Sequence, residues 1–313
     1  MTSKESVARA RGSRWSWPIA GNCLRTALVE DVPTTKRDMY YKDVPLFKTQ
    51  SVVNRLVDDM AATFALGRAD MNVRAASKGL FAGEDLIIHL KDGGEIPGNN
   101  SEGMLVPAGE EVARFEVKGK IAWVLIVEKE AVFQTLCRYK FASHASLPGR
   151  GILITGKGYP DVATRQLVKT LSDNLPPTVP LLALVDGDAY GIDILSVYKY
   201  GSASMRHEQE KLAAGRVKWL GIKSSELHGL GIDRDALIPI TRHDEKKALS
   251  LIQRPDIMMP SKWRRELTHM LHLRRKAEIE VLMVMKTPGS ALLAYLSNKI
   301  TDAVGKYGRE AQV

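Results

Sequence analysis

Three acidic side chains follow apolar runs of the kind that form buried strands. Glu128 ends the run Ile121–Val127, and Asp186 and Asp188 follow the run Leu181–Val185. The carboxyl ends of parallel strands meet at one edge of a sheet, where ligands bind, so we expect these carboxylates to converge. Acids in close contact repel and raise one another's pKa, and oxygen-only ligands favour Mg²⁺, with Mn²⁺ as a substitute. The pattern predicts a divalent-metal site.

A second interpretation is that Asp186 and Asp188 only cap turns and helices, as aspartates often do. An isolated Asp-x-Asp favours capping, whereas Glu128 at the end of an earlier strand favours metal binding. The loop Gly156–Asp161 is predicted at the same edge. Its glycines allow the backbone to approach a ligand closely, and Lys157 can contact a phosphate. It lacks the Gly-Lys-Ser/Thr ending of a Walker A loop.

The segment Lys36–Lys42 contains the best candidate for a nucleophile. If it is helical, Arg37 lies one turn before Tyr41 on the same face, whereas Tyr40 faces elsewhere, toward the core. A phenol is a weak nucleophile at neutral pH because its usual pKa is about 10, and a nearby guanidinium favours the phenolate and binds phosphate. Adjacent tyrosines on a basic helix also fit simple packing, and spacing alone leaves both readings open.

The elements that would hold the acids begin near residue 113. Apolar runs without polar alternation are separated by amphipathic stretches, which predicts a parallel sheet covered by helices on both faces, an α/β fold. Further helices are expected over Asp244–Ile252 and Trp263–Met285, and a strand over Leu237–Ile240. The core strands are expected at Ile121–Val127, Gly151–Thr155 and Leu181–Val185, and the helices between them at Ala131–Tyr139, Val162–Leu171 and Ile192–Tyr200.

The preceding part of the chain predicts a different module. Thr34 or Thr35 can cap the helix Lys36–Lys42, and strands at Leu80–Gly83 and Leu86–Leu90 resemble a hairpin, so the combination suggests a winged helix. We therefore expect a disordered basic arm over 1–20, a winged-helix domain over 21–112 and an α/β domain over 113–313, with Lys91–Gly109 as a loop or linker between the two domains. Between the predicted helix Lys36–Lys42 and the two strands, a second helix is expected. Its apolar face is formed by Val52, Val53, Leu56, Val57, Met60 and Phe64.

The composition narrows the class of protein. The 313 residues include 45 Lys and Arg against 36 Asp and Glu, a formal charge of +9, which favours a polyanionic partner such as nucleic acid. The two cysteines, Cys23 and Cys137, are too few for a disulfide framework and indicate a reducing compartment. The apolar runs are far shorter than the roughly 20 residues of a membrane span, so no membrane association is expected.

Several ordered blocks together resemble one family, which contains the A subunits of the type IIB DNA topoisomerases (topoisomerase VI) and the Spo11-type meiotic transesterases. The blocks extend from residue 34 to the last helices. The sequence motifs VYKYGS and KWLG resemble those of the meiotic branch more closely than those of the topoisomerase branch. Ala189 stands where the family usually has proline. The blocks are KRDMYYKDVPLFKTQSVV, KGLFAG, VLIVEKEAVFQTL, ITGKGYPDVATRQLV and LVDGDAYGIDILSVYKYGSASM.

The resemblance implies a winged-helix (CAP-like) domain followed by a Toprim domain. It maps the catalytic tyrosine to Tyr41, the arginine one turn earlier to Arg37, and the Mg²⁺ ligands to Glu128, Asp186 and Asp188. The candidate DNA contacts are Lys157, Tyr159, Arg74 and Lys78.

The implied activity is a DNA double-strand break made through a covalent 5′-phosphotyrosyl link, which initiates meiotic recombination in the nucleus on chromosomes. The implied partners are double-stranded DNA, a second copy of the chain in the active dimer, meiotic accessory proteins and a B-type GHKL ATPase-like subunit. The alternatives are a DNA-binding scaffold that needs partners for activity, another Toprim enzyme such as a primase or nuclease, and a topoisomerase VI A subunit that relaxes or decatenates DNA with its ATPase subunit.

Overall fold

The chain forms two compact units in a computed structural model that describes residues 18, 20–22, 24–30, 32, 34–64, 66, 69–74, 77–202, 212–283 and 290–310. One unit comprises residues 1–76 with 204–208, and the other comprises 77–203 with 209–313. The predicted boundary at 112/113 therefore does not coincide with this division. Of the predicted arm over 1–20, Pro18 and Ala20 are helical and the remainder lies outside the described residues.

The first unit is mostly helical, and its described residues between 18 and 29 are helical as well. Met39, Phe47, Val53 and Met60 lie in its apolar core. The predicted apolar face of the helix Gln50–Phe64 is confirmed except at its end, where Phe64 is exposed. The labelled elements are β1 (Thr34–Thr35), α1 (Lys36–Lys42), α2 (Val44–Phe47), α3 (Gln50–Phe64) and β2 (Val73–Arg74), with β1 and β2 paired in parallel.

The second unit contains the predicted α/β sheet. Its strands are β3 (Leu80–Ala82), β4 (Leu86–Leu90), β5 (Glu95–Pro97), β6 (Met104–Leu105), β7 (Val112–Val117), β8 (Ile121–Val127), β9 (Arg150–Thr155), β10 (Leu181–Leu184), β11 (Lys218–Gly221), β12 (Ile238–Pro239) and β13 (Arg275–Lys276). Its helices are α4 (Glu130–Arg138), α5 (Val162–Asn174), α6 (Ala189–Tyr200), α7 (Arg242–Ile252), α8 (Ser261–Leu273) and α9 (Ser290–Glu310).

Six strands form the main sheet, in the order β11-β10-β8-β9-β3-β6. The four strands from β11 to β9 are parallel, and β3 and β6 extend the sheet antiparallel. The side chains of β8 alternate between two buried clusters: Val124 and Ile126 pack on one face, and Leu125 and Val127 on the other. Burial on both faces explains the uninterrupted apolar runs.

The predicted hairpin at 80–90 is wrong in its pairing. The strands form, but β3 pairs with β9 and β6 in the main sheet, whereas β4 pairs with β5 and β7 in a three-stranded sheet. The predicted linker Lys91–Gly109 accordingly contains two of these strands, β5 and β6. Because sheet partners distant in sequence leave no local signal, the spacing suggested a hairpin that the fold does not make.

The long predicted helix Trp263–Met285 is also wrong. Helix α8 ends at Leu273, and Arg274 adopts a left-handed conformation with φ of 56°. The next residues form β13, which pairs with β12 in a separate two-stranded sheet rather than in the main one. Ala277 then bridges to Gly187. This turn brings residues 275–280 to the edge that carries the acids.

Cys137 is a buried core residue, as expected, and burial raises the pKa of its thiol to about 12. Cys23 lies outside the described residues. Among the described residues, no helix combines the length and apolar character that a membrane crossing requires.

Candidate active site

Helix α1 holds Tyr41 and has a well-formed N-terminus. Thr35 is the N-cap: its hydroxyl accepts from the Asp38 N–H at 3.0 Å, and the Asp38 carboxylate accepts from the Thr35 N–H at 3.0 Å. This reciprocal capping box satisfies main-chain donors that a helix start leaves unpaired. Lys36 joins the helix to α3, with its Nζ 2.5 Å from the Asp58 carboxylate. Met39 anchors the opposite side in the core.

Tyr41 and Arg37 share the outer face of α1, as the spacing predicted. The Tyr41 side chain is 59% exposed. The Arg37 Nη2 donates a long hydrogen bond of 3.5 Å to the Tyr41 hydroxyl, and the guanidinium carbon lies 5.8 Å from the ring centroid. Tyr40 instead packs against the core of the unit. Of the two adjacent tyrosines, Tyr41 is therefore the exposed one, and its hydroxyl lies beside the positively charged guanidinium of Arg37.

The acidic edge of the second unit starts with a direct link between two strand ends. Glu128 directly follows β8, and Asp186 follows the neighbouring strand β10; both side chains are buried. The Asp186 N–H donates to Glu128 Oε2 at 2.8 Å. Asp186 Oδ1 accepts from the Ile279 N–H at 2.9 Å. The structure therefore brings Glu128 and Asp186 together at the carboxyl edge.

Asp188 takes the capping role that the alternative interpretation gave it. Its Oδ1 accepts from the N–H groups of Tyr190 and Gly191, at 2.9 Å and 2.8 Å, at the start of α6. A Cβ on Gly191 would lie 2.3 Å from the Asp186 carbonyl oxygen, so only glycine allows this close approach. Asp188 thus fixes the helix start directly beside the Asp186 backbone.

Two lysines supply positive charge at this edge. Lys129 Nζ lies 3.3 Å from Asp186 Oδ2, and it also contacts Glu278 and Glu280 at 3.0 Å and 2.7 Å. Lys276 Nζ lies 3.7 Å from Asp188 Oδ2 and 2.9 Å from Asp244.

Sequence reasoning missed Lys276, Glu278 and Glu280 at this edge. Their segment was assigned to the continuous helix Trp263–Met285, which would have carried them away from the strand ends. The signal that could have located them is the alternation of charged and apolar residues over 276–280, which is typical of an extended segment with one buried face.

Burial makes the carboxylates of the edge hard to ionise. Burial, reinforced by the charge of Asp186, raises the pKa of Glu128 to about 8. Burial raises the pKa of Asp186 to about 6, although the Ile279 N–H and Lys129 oppose the rise. Burial also raises the pKa of Asp188, against the N–H groups that it caps. Cations near these groups therefore stabilise their charged forms.

The oxygen atoms of Glu128, Asp186 and Asp188 are the kind of ligand that a hard divalent cation prefers. These carboxylates are buried, and their raised pKa values show that the nearby positive charge does not fully balance them. Within the described ranges, however, no group of three or more His, Cys, Asp or Glu side chains is arranged to hold a metal ion. The predicted convergence of three carboxylates on one point is therefore not observed. Asp188 is directed to its helix cap, and the ammonium groups of Lys129 and Lys276 lie against the acids.

The predicted DNA-contact residues at this edge are already engaged within the unit. Lys157, at a φ of 52°, pairs through Nζ with Glu130 at 2.9 Å. Lys78 Nζ donates to the Lys157 carbonyl at 3.0 Å. The Tyr159 hydroxyl donates to Asp193 at 2.6 Å. Arg74 lies in β2 of the other unit, and its side chain is outside the described residues.

Comparison with known families defines the class to which this edge belongs. Residues 123–300 match the family model of the Toprim domain common to Spo11 and the A subunit of topoisomerase 6. Residues 21–73 match the model described as type IIB DNA topoisomerase. The parallel strands with acids at their carboxyl ends are therefore those of a Toprim domain. The chain belongs to the family formed by Spo11 and the topoisomerase 6 A subunit, which confirms the resemblance found in the sequence.

Curated relatives fall in both branches of the family. The meiotic recombination protein SPO11 of Mus musculus is 38% identical over 271 residues, covering 86% of this chain and 66% of the relative. The A subunit of DNA topoisomerase 6 from Arabidopsis thaliana is 33% identical, covering 83% and 58%. The meiotic recombination protein rec12 of Schizosaccharomyces pombe is 31% identical, covering 90% and 75%. The chain thus spans just under two thirds of the mouse protein.

Proposed function

We propose that this chain is a DNA transesterase that makes double-strand breaks and initiates meiotic recombination. The observation that carries the proposal is the exposed Tyr41 hydroxyl beside Arg37, in the unit that matches the type IIB topoisomerase model. The meiotic branch is favoured over a topoisomerase VI A subunit because identity reaches 38% to the mouse meiotic protein, against 33% to the plant topoisomerase subunit.

In the proposed reaction the Tyr41 phenolic oxygen attacks the phosphorus of a backbone phosphodiester. A tyrosyl–phosphorus bond forms while the bond from phosphorus to the 3′ oxygen breaks. The phenolic proton leaves to solvent, and the 3′ oxygen gains a proton to become a free hydroxyl. Because the bond to the 3′ oxygen breaks, the phosphate stays on the 5′ end of the DNA. No water is consumed, so the product remains a covalent 5′-phosphotyrosyl adduct. Arg37 binds the phosphate under attack and stabilises its developing charge.

Glu128, Asp186 and Asp188 are the residues that would hold Mg²⁺, with Mn²⁺ as a substitute. The cap of α6 uses only Oδ1 of Asp188, so its Oδ2 would be the donor to the ion. The ion supplies neutralisation of phosphate charge when bound. Main-chain hydrogen bonds orient two of these carboxylates: the Asp186 N–H donates to Glu128, and the Ile279 N–H donates to Asp186. Lys129 and Lys276 hold positive charge against the same acids.

The assembly is proposed by analogy with the family. Double-stranded DNA is the substrate, and a double-strand break requires two copies of the chain, one tyrosine for each strand. Meiotic accessory proteins and a B-type GHKL ATPase-like subunit complete the assembly, which acts in the nucleus on chromosomes. Lys157, Tyr159, Arg74 and Lys78 are proposed to contact the DNA backbone, which gives weak sequence preference.

We further propose that the residues up to 76 form the DNA-binding module that carries the tyrosine, and that the rest forms the Toprim domain with its C-terminal helices. The winged-helix assignment of the first module stays a prediction. The two strands expected to form its wing pair in other sheets, and the described strands of the first unit are the short β1 and β2.

The test is an SDS-resistant protein–DNA adduct. The full chain, with dimerisation enforced by a fused dimer-forming segment, is incubated with end-labelled duplex DNA and Mg²⁺ or Mn²⁺. Tyr41→Phe should abolish the adduct and leave DNA affinity nearly unchanged, because only the nucleophilic oxygen is lost. Tyr40→Phe is the matched control and should retain the adduct. An adduct that survives Tyr41→Phe contradicts the assignment.

The same assay separates the alternatives. Metal-dependent cleavage that persists in Tyr41→Phe and releases 5′-phosphates would identify another kind of Toprim enzyme. DNA binding without any cleavage by the enforced dimer would identify a scaffold that needs partners. Relaxation of supercoiled DNA on addition of an ATPase subunit would identify a topoisomerase VI A subunit.

A further inference from the structure

Beside the acidic edge lies a group of five residues that we call the Asp193 cluster: Tyr159, Tyr190, Asp193, Lys247 and Arg254. Tyr159 is in the loop after β9, and Tyr190 and Asp193 are in the first turns of α6. Lys247 is on α7, and Arg254 follows that helix. Because the Tyr190 N–H donates to Asp188, the cluster adjoins the acids directly.

Asp193 is the buried centre of the cluster. Its Oδ2 accepts from the Tyr159 hydroxyl at 2.6 Å and from Lys247 Nζ at 2.5 Å, and its Oδ1 lies 2.8 Å from Arg254 Nη1. Burial alone would raise the pKa of Asp193, but the bonds from Lys247 and Tyr159 and the charge of Arg254 lower it below its usual value. Asp193 is therefore a fixed carboxylate that holds three donors.

The charges of the cluster do not cancel. Asp193 carries one negative charge, which a single cation would neutralise. Because both Lys247 and Arg254 pair with it, the cluster keeps a net positive charge. The side chains of Lys247 and Arg254 are still 26% and 31% exposed. Lys247 Nζ also lies 5.6 Å from the centre of the Tyr190 ring, which restricts its position further. The cluster thus presents two partly exposed cations whose positions are fixed by the buried carboxylate of Asp193.

We propose that the Asp193 cluster binds backbone phosphates of double-stranded DNA through Lys247 and Arg254, with Asp193 as their positioning residue. Preorganised cations bind phosphate with little loss of side-chain entropy. Such contacts fix the position of DNA without reading its sequence. This inference rests on the proposed function, because it takes DNA as the ligand of this edge.

The test measures the affinity of the full chain, carrying Tyr41→Phe to prevent cleavage, for short duplexes of two unrelated sequences over a range of salt concentrations. Lys247→Gln and Arg254→Gln, each made alone, leave one cation on Asp193. Each should weaken binding to both duplexes and reduce the slope of log affinity against log salt by about 1. Arg254→Lys keeps the charge and should retain the slope.

The matched control is Lys169→Gln, which removes a lysine of similar exposure from its pair with Asp173 on α5. It should leave the salt slope unchanged. If the control lowers the slope as much as Lys247→Gln and Arg254→Gln do, or if those two variants behave like the parent chain, the inference is overturned. Thermal unfolding of each variant verifies that it is folded.

Asp193→Asn separates positioning from bulk electrostatics. The substitution adds one unit of net positive charge, so a purely electrostatic effect would tighten DNA binding. A positioning role predicts weaker binding, because the two cations are no longer held by a carboxylate. Tighter binding by Asp193→Asn overturns the positioning role.

The two proposals fail separately. A Tyr41-dependent adduct together with unchanged salt slopes in Lys247→Gln and Arg254→Gln removes only the role of the cluster. Reduced slopes in a chain that never forms an adduct retain the cluster as a DNA-binding site and remove the transesterase. A parent chain that binds neither duplex contradicts the cluster as well.

Discussion

The main-chain N–H of Asp186 donates a hydrogen bond of 2.8 Å to the carboxylate of Glu128. The ends of β8 and β10 are therefore joined through the acids themselves, which holds two buried carboxyl groups close together. Their mutual charge and their burial make this edge unfavourable for the folded protein unless protons or cations compensate it. The first three predictions depend on this relationship.

Replacing Glu128 by glutamine should stabilise the metal-free protein in a pH-dependent way. The unfolded chain releases this proton near its usual pKa of 4.5, whereas the folded chain retains it up to about 8. Wild-type stability should therefore fall as the pH rises between these values. Glu128→Gln should unfold several degrees higher than wild type at pH 8 and at nearly the same temperature below pH 4.5. For a protein of this size, each kcal/mol of added stability raises the unfolding temperature by roughly 2–4 °C.

Thermal unfolding in a chelator at the two pH values measures the difference. Glu102→Gln, at an exposed glutamate, is the control and should show no such pH dependence. A Glu128→Gln variant that is less stable than wild type at pH 8 would contradict the burial argument.

Addition of Mg²⁺ should raise the unfolding temperature of the wild type, because an ion that binds only the folded state stabilises it by about 2.7 kcal/mol at a hundredfold excess over its dissociation constant. Asp186→Asn removes one donor and one charge and should largely abolish this shift. Asp173→Asn, on α5, should retain it. The idea would not survive equal shifts in wild type and Asp186→Asn.

Lys129→Gln should have opposite effects with and without metal. Burial lowers the pKa of Lys129, but its bonds to Glu280 and Glu278 and the charge of Asp186 raise it further than burial lowers it. The ammonium group therefore already compensates the acids. Without it, the metal-free protein should be less stable and the shift produced by Mg²⁺ should be larger. Lys169→Gln is the control, and an unchanged or smaller Mg²⁺ shift in Lys129→Gln would show that the ammonium does not compete with the ion.

Thr35→Ala should destabilise the helix that carries the nucleophile. The capping box between Thr35 and Asp38 is lost, which costs about 1 kcal/mol. Amide hydrogen exchange over Lys36–Lys42 should become faster, and adduct formation should slow. Thr63→Ala, near the end of α3, removes a hydroxyl without an N-cap and should leave exchange in α1 unchanged. Equal exchange in α1 of both variants would argue against the cap.

The sequence was sufficient for the elements whose signals are local. Burial on both faces gives β8, β9 and β10 uninterrupted apolar runs, so their positions could be predicted almost to the residue. The capped helix with Arg37 and Tyr41 on one face also followed from spacing alone, because residues four apart are neighbours on a helix. The family resemblance added the roles proposed for these side chains.

The rest depended on contacts between distant segments. The pairing of β3 with β9 placed Leu80–Ala82 in the main sheet, although nothing near those residues encodes it. The bridge from Gly187 to Ala277 brought Lys276 to the acids after a left-handed Arg274 ended α8. Periodicity continued past that point and suggested a helix. The capping of α6 by Asp188 was foreseen only as the alternative to metal binding.

The most direct test of the central claim is to identify the residue that becomes linked to DNA. The adduct is digested with nuclease and trypsin, and the peptide Asp38–Lys42, which contains both tyrosines, is fragmented in a mass spectrometer. We predict a residual nucleotide attached through phosphate to Tyr41. A nucleotide on Tyr40, or on any residue outside this helix, would contradict the proposed mechanism.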